Sequence, residues 1–389
     1  MPQAGTCITD GGVKWSERQL LTALIPPRDW LSDLGIELKA RLRLGGLPPS
    51  VQHPTISSLC FPIWIATLWP LMLDIEGQKR VWTEAMAWLA SEAAQGADTS
   101  RATELISDLA WGTTVWPLVK SGTLVGLITE LLSTRWIRER HLDLWGLCLA
   151  NHAGDDAVEC YVGGVYLAQQ MKELPNAKAQ GKPWAQQGEL FDTLAMIIKE
   201  GYQRVLLPAN VNGNHWVLFR IDFAKKSFSY GMMRQFGSFA RVYSHSKHHH
   251  LGDPMIDLGG GKAISPDISR LRDGVQIWLK SKFPAGFIDQ GRTLPMGRQQ
   301  DSYSCGVCVM NAMERGFFKC PPFDHANRHT LRVQYFIAIM EYLLDIVRRL
   351  SMRLLGPTNV TSPVTRIRVQ SDKGGNNTHC RSGIPGSRV

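Results

Sequence analysis

Between Glu200 and Tyr230 the chain changes its hydrophobic period, and that change constrains the fold more than any other feature. Arg204–Pro208 (RVLLP) reads as a short strand, Asn210-Val211-Asn212-Gly213-Asn214 as a turn, and His215–Asp222 (HWVLFRID) as a strong strand. Phe223-Ala224-Lys225-Lys226 turns the chain again into Ser227–Tyr230. These segments make an antiparallel hairpin arrangement with His215 at one strand end. The rest of the patterned sequence is helical, so the expected class is α+β.

Residues 1–130 read as a mainly helical region that holds no recognisable chemical constellation. Leu31, Leu34 and Leu38 fall at helix spacing, and VWTEAMAWLASEAAQ and SRATELISDLA form a pair of helices broken at Gly96. Leu59–Leu73 (LCFPIWIATLWPLML) is the most apolar stretch; two prolines and Asp74 leave it short of the ~20 residues that span a bilayer, so a buried helix-turn-helix piece is expected. Between 134 and 170 two further helical pieces are expected, the second opening at Gly154-Asp155-Asp156. Asp267–Phe283 and Val333–Arg353 complete the helices. Gly231–Gly261, rich in Gly, Ser and His, reads as a long surface loop. Residues 354–389 are polar and basic and read as a disordered tail.

Net charge is +9, from 43 basic and 34 acidic residues, but no Lys/Arg run is dense enough to mark a nucleic-acid stripe. The eight Cys are scattered through a long chain, and MPQAGTCITDGG lacks the basic and apolar parts of a secretory signal. The expectation is a chain of a reducing compartment, intracellular in nucleus or cytoplasm, with buried thiols and no disulfide scaffold.

Three residues stand out chemically. Cys305 follows the polar loop GRQQDSYS and begins the apolar helix CGVCVMNAME, which places its thiol at free backbone N–H groups that favour a thiolate. A random Cys is more often an inert core thiol; the polarity of this loop reverses those odds. His215 is a candidate base, since a thiol at neutral pH is only slightly ionised, although a His beside a Trp in a strand is as often a packed core pair. Gln299, on the loop before Cys305, has an amide that can donate to a developing oxyanion, with the Cys305 N–H as second donor. Cys305-x-x-Cys308 also matches a redox or zinc half-site, but no second ligand pair accompanies it. No cofactor or metal is implied.

Together these residues resemble the ubiquitin-like protease family, cysteine proteases of the papain-like clan that mature and remove SUMO and related modifiers. The resemblance is carried by His215-Trp216-Val217-Leu218, Ile221-Asp222, Tyr230, Gln299 and Cys305-Gly306, with His preceding Cys in the chain. Trp136-Ile137-Arg138-Glu139-Arg140-His141-Leu142 is similar to the family's leading helix, with Glu139 in place of Asp. The resemblance implies a papain-like α+β fold, a mostly antiparallel sheet flanked by helices, over residues 131–353. It implies Cys305 as nucleophile, His215 as base, Gln299 at the oxyanion and Trp216 as part of a narrow tunnel that admits Gly-Gly. The implied partner is a ubiquitin-like modifier, SUMO favoured, and its conjugates; neither a membrane nor a nucleic acid is indicated. The unrelated helical half and the unusual insertion are similar in texture to proteases of fungal or plant mobile elements.

The pattern departs at the third triad member. Met232-Met233 follow Tyr230-Gly231 where the family has an Asp, and the next matching string is Leu251-Gly252-Asp253-Pro254. The economical reading is an insertion over 232–252, with Asp253 as the orienting carboxylate and Asp257 as second candidate. Ser304 also stands where many members have Asp. Three alternatives stay open: a catalytically impaired pseudoprotease that binds a ubiquitin-like protein, a general cysteine peptidase or acetyl-transferring relative, and a helical interaction module.

Overall fold

A computed structural model describes residues 25–46, 48, 50–56, 60–109, 114–115, 123–154, 159–181, 188–232, 265–283 and 286–355. The chain divides into two compact units, Met1–Thr83 and Glu84–Val389. In the first, helix α1 (Arg28–Arg43) is followed by strands β1 (Ser50–Gln52) and β2 (Cys60–Pro62), antiparallel with Val51 opposite Phe61. Leu31, Val51 and Trp69 form its small core, and the rings of Trp30, His53 and Phe61 pack on Trp69. Helix α2 (Ile65–Ala94) carries Pro70 without breaking. The helix-turn-helix expected over Leu59–Leu73 is therefore a short strand and the start of one long helix.

The second unit adds α3 (Ser100–Asp108), a two-stranded pairing of β3 (Thr114–Val115) with β4 (Thr123–Leu124), and the short α4 (Val125–Ile128). Then follow α5 (Glu139–Ala153), β5 (Cys160–Val162), α6 (Val165–Ala179) and α7 (Gly188–Lys199). Strands β6 (Arg204–Val211), β7 (His215–Asp222) and β8 (Ser227–Gly231) precede α8 (Pro266–Lys282), β9 (Ile288–Asp289), α9 (Cys305–Phe317) and α10 (Arg328–Leu355). The expected second helix from Gly154 is instead strand β5, leading to a helix that begins only at Val165. Cys160-Tyr161-Val162 is too short for its period to be read, and only its parallel pairing with β6 makes it a strand.

The α+β architecture is the one expected: a five-stranded sheet flanked by helices, after a helical N-terminal region. Sheet order is β5-β6-β7-β8-β9. The two long ladders, β6–β7 and β7–β8, are antiparallel, and the edge strands β5 and β9 add in parallel. Val205, Leu207, Val217, Phe219 and Ile221 share one core with Met171, Phe191, Leu271 and Trp278 of the helices. Side chains alternate across a strand, so Leu206 and Leu218 face the other side, where Leu206 abuts Gly316 of α9. Both faces of the central strands are buried, which is why HWVLFRID is an almost unbroken apolar run.

The turn that delivers His215 has Asn212 at φ 55° and Gly213 at φ 70°, a left-handed pair that suits these residue types. It is pinned from the start of α8. The Asn212 N–H donates to Asp267 Oδ2 at 2.9 Å, and Ser265 Oγ lies 2.9 Å from Asn212 Oδ1. Lys172 of α6 pairs with the same carboxylate at 3.2 Å.

Helices α6 and α8 approach so closely that a Cβ on Gly274 would lie 1.8 Å from the Met171 carbonyl oxygen. Gly274→Ala should therefore destabilise the second unit by about 3 kcal/mol, the upper end of the usual overpacking range. A urea-denaturation midpoint equal to that of the wild type would show that the α6–α8 spacing is not set here.

Candidate active site

Cys305 is the first residue of α9, and its side chain is 1 % exposed. The helix is apolar from its first turn, with Val307, Cys308, Val309 and Met310 all buried, so it lies against the sheet, with Cys305 near Trp216 of β7 and Gly316 near Leu206 of β6. Gly306 makes the approach possible: a Cβ there would lie 2.3 Å from Ile137 Cβ. Ile137 in turn accepts a 2.7 Å hydrogen bond from the Trp216 indole Nε1–H. The backbone N–H of Trp216 donates to the Cys305 thiol, as does that of Gly306. Residues 137, 216 and 305–306 thus form one contact, although they come from three distant parts of the sequence.

The structure places His215 one residue from that thiol-binding N–H, half-buried at the start of β7. Burial holds its imidazole down to about 4, and the Arg292 guanidinium pushes the same way. Arg292 also donates from Nη2 to the Met232 carbonyl at 2.8 Å. Among the described residues the His215 ring makes no hydrogen bond. Asp253 and Asp257, the carboxylates expected to orient it, lie outside the described residues, as does most of the 232–252 segment.

The thiol departs from the expectation of a ready thiolate. Burial pushes the Cys305 thiol up, opposed by the N–H groups of Trp216 and Gly306, while the nearby Asp301 charge raises it further. Cys308, one turn on, is pushed up more strongly by burial and by Cys305 itself. Burial thus favours the neutral form of the thiol and of the imidazole. Helix N–H groups aid a thiolate, but loss of water around a buried sulfur outweighs them. Among the described residues no group of three or more Cys, His, Asp and Glu side chains could hold a metal ion.

Gln299 is buried at 1 % exposure. Its Nε2 donates to Asp301 Oδ1 at 3.0 Å, and its Oε1 has no partner. Asp301 also accepts from the N–H groups of Tyr303 and Ser304 at 3.0 and 2.8 Å, and from Ser304 Oγ at 2.7 Å. Beneath this loop Arg332 is fully buried; its guanidinium donates to the carbonyls of Leu131, Arg135 and Tyr303 and lies 5.5 Å from the Tyr303 ring centroid. Sequence reasoning missed both residues. A lone carboxylate just before a helix start is a recognised turn and cap signal that could have drawn attention to Asp301. Arg332 left only the weak sign of one Arg inside an apolar helical run.

His215 should stay neutral in the folded protein well below its ordinary value. Between about 6.5 and about 4 the unfolded chain binds a proton there that the folded chain does not, so stability should fall as pH drops through that window. Buried His141, also held down to about 4 by burial, adds in the same direction. Following the ring C–H resonances by NMR from pH 7.5 to 4.5 tests this; a His215 midpoint near 6.5 would contradict it.

No family model matches the sequence, and no curated protein matches it. Solved structures do show similarity in chain path. A SUMO protease Ulp1 with its catalytic cysteine oxidised to a sulfenic acid is 17% identical, aligning 64% of this chain with 97% of that one at a TM-score of 0.45. The Ulp1-like SUMO protease catalytic domain of Chaetomium thermophilum is 13% identical, over 62% of this chain and 88% of that one, at a TM-score of 0.40. The Xanthomonas campestris effector protein XopD, bound to ubiquitin, is 18% identical over 52% of this chain and 91% of that one, at a TM-score of 0.33.

Proposed function

We propose that this chain is a thiol peptidase that cleaves after the C-terminal Gly-Gly of a ubiquitin-like modifier, SUMO favoured, acting on precursors and conjugates. The observation that carries the reading is the seat of Cys305: a thiol at the first turn of a buried helix, held by the Trp216 N–H, with His215 next along the strand and the Gln299 amide in the preceding loop. The catalytic domain spans 131–353 in this reading, with 232–252 as an insertion and 1–130 as an accessory region. No described helix is long and apolar enough to cross a membrane. Action on modifier conjugates fits a place in the nucleus or cytoplasm.

The steps follow from these residues. His215, oriented by Asp253, takes the Cys305 proton as the sulfur attacks the carbonyl carbon of the terminal Gly. The oxyanion is met by the Gln299 amide and the Cys305 N–H. The imidazolium then protonates the leaving amine as the C–N bond breaks, leaving a thioester on Cys305. Water, deprotonated by His215, attacks the thioester, and the carboxylate and thiol are released. Trp216, buried and fixed through Ile137, walls the approach and admits an acyl segment without side chains.

A second reading is supported by one observation: Arg292, and not a carboxylate, is the charged group that acts on His215 among the described residues. In that reading the domain binds a ubiquitin-like protein but turns over poorly. SUMO and ubiquitin probes carrying an electrophile at the C-terminal Gly separate the two. Covalent labelling should be abolished in Cys305→Ala, and Asp253→Ala should lower turnover by up to about 10⁴-fold, the cost of removing the orienting carboxylate in a serine triad. Reversible binding by wild type without labelling would establish the pseudoprotease, and no binding of either probe would remove the modifier assignment altogether.

A further inference from the structure

We propose that Asp301 is a positioning residue for this site, fixing the Gln299 amide in place for the oxyanion; the inference rests on the peptidase reading. Gln299 is almost wholly enclosed, and its described side-chain hydrogen bond runs to Asp301 Oδ1. A primary amide has two N–H donors. One is taken by Asp301, which stops rotation about the terminal bond and leaves the other for substrate. The same Oδ1 collects the N–H groups of Tyr303 and Ser304, and Oδ2 holds the Ser304 hydroxyl. A single carboxylate therefore sets both the amide and the two residues, Tyr303 and Ser304, that lead into Cys305.

Asp301 is itself held. Its side chain is 14 % exposed, with His325 Nδ1 and Arg328 Nε each 3.7 Å from Oδ2. Its carboxyl lies below the usual range: burial acts to raise it, and the hydrogen bonds from Ser304, Gln299 and Tyr303 outweigh that. The charge of Asp301 opposes ionisation of Cys305. Its benefit is consequently geometric, and a neutral side chain of the same shape should supply most of it.

The test compares wild type, Gln299→Ala, Asp301→Ala, Asp301→Asn and the double variant Gln299→Ala/Asp301→Ala on SUMO carrying a fluorogenic amide at its C-terminal Gly. Loss of one oxyanion donor costs about 10²–10³-fold in turnover. Asp301→Ala should show a fall of that size in kcat with KM little changed, Gln299→Ala the same, and the double variant no further loss. Asp301→Asn should restore most of the activity, because it keeps the Oδ1 acceptor. Alkylation of Cys305 by iodoacetamide should stay within a few-fold of wild type in Asp301→Ala. A double variant as slow as the product of the two single losses would overturn the proposal, as would parallel collapse of alkylation and kcat. Hydrogen exchange of the Gln299 side-chain amide, followed by NMR, decides the matter without turnover: it should be slow in wild type and Asp301→Asn and fast in Asp301→Ala. Absence of hydrolysis by wild type would sink the peptidase reading, while unchanged exchange in Asp301→Ala would sink the role of Asp301.

Discussion

Strand β7 is buried on both faces, and most of the second unit follows from that constraint. A strand with Trp216, Val217, Leu218, Phe219 and Ile221 buried on its two faces has to sit inside a sheet with cover above and below. The ladder to β6 supplies one neighbour over eight residue pairs and the ladder to β8 the other over five. Helices α6, α7 and α8 then cover one face through Met171, Phe191 and Trp278, and α9 covers the other. With the sheet fixed, the start of α9 falls beside the start of β7. Trp216, next to His215 in the strand, and Cys305 are neighbours because two buried elements share an end.

Close packing at that end has an electrostatic consequence. The thiol of Cys305 and the imidazole of His215 are both driven toward their neutral forms, chiefly by burial. A buried pair of this kind gains nothing from ionising ahead of substrate, since each charge would lose its water. In the proposed peptidase reading, the N–H groups of Trp216 and Gly306 and the amide of Gln299 would meet a charge that exists only briefly. Dipoles held in place by packing need no reorganisation when charge develops, which is the property a catalytic pocket uses.

The loop before Cys305 is organised by side-chain hydrogen bonds and not by a backbone ladder. Residues 299–304 contain no regular structure, yet one carboxylate gathers four donors from this segment. The turn before His215 is treated in the same way, with Asp267 accepting from the Asn212 N–H and Lys172 closing the other side. His215 and Cys305 each follow a polar loop whose backbone is bonded to a carboxylate, Asp267 for the first and Asp301 for the second.

The sequence by itself determined the hairpins, the polar loop running into the Cys305 helix, and the division into helical and sheet-bearing stretches. Those features are local: periods of two and 3.6, turn residues, and a break in polarity at Ser304–Cys305. It also marked Trp216 and Gly306 as residues with a role, through their neighbours His215 and Cys305. Only the tertiary structure decided that β5 is a strand, because Cys160-Tyr161-Val162 acquires its hydrogen bonds from β6 and has too few residues to show a period. It alone joined Ile137 to Gly306 and Trp216, put Asp301 on Gln299, and set Arg332 beneath the loop. It also set burial against the helix terminus at Cys305, since a helix terminus can be read from a sequence but the water missing around a sulfur cannot. Burial is a property of all the segments packed around an atom, and no single segment carries it.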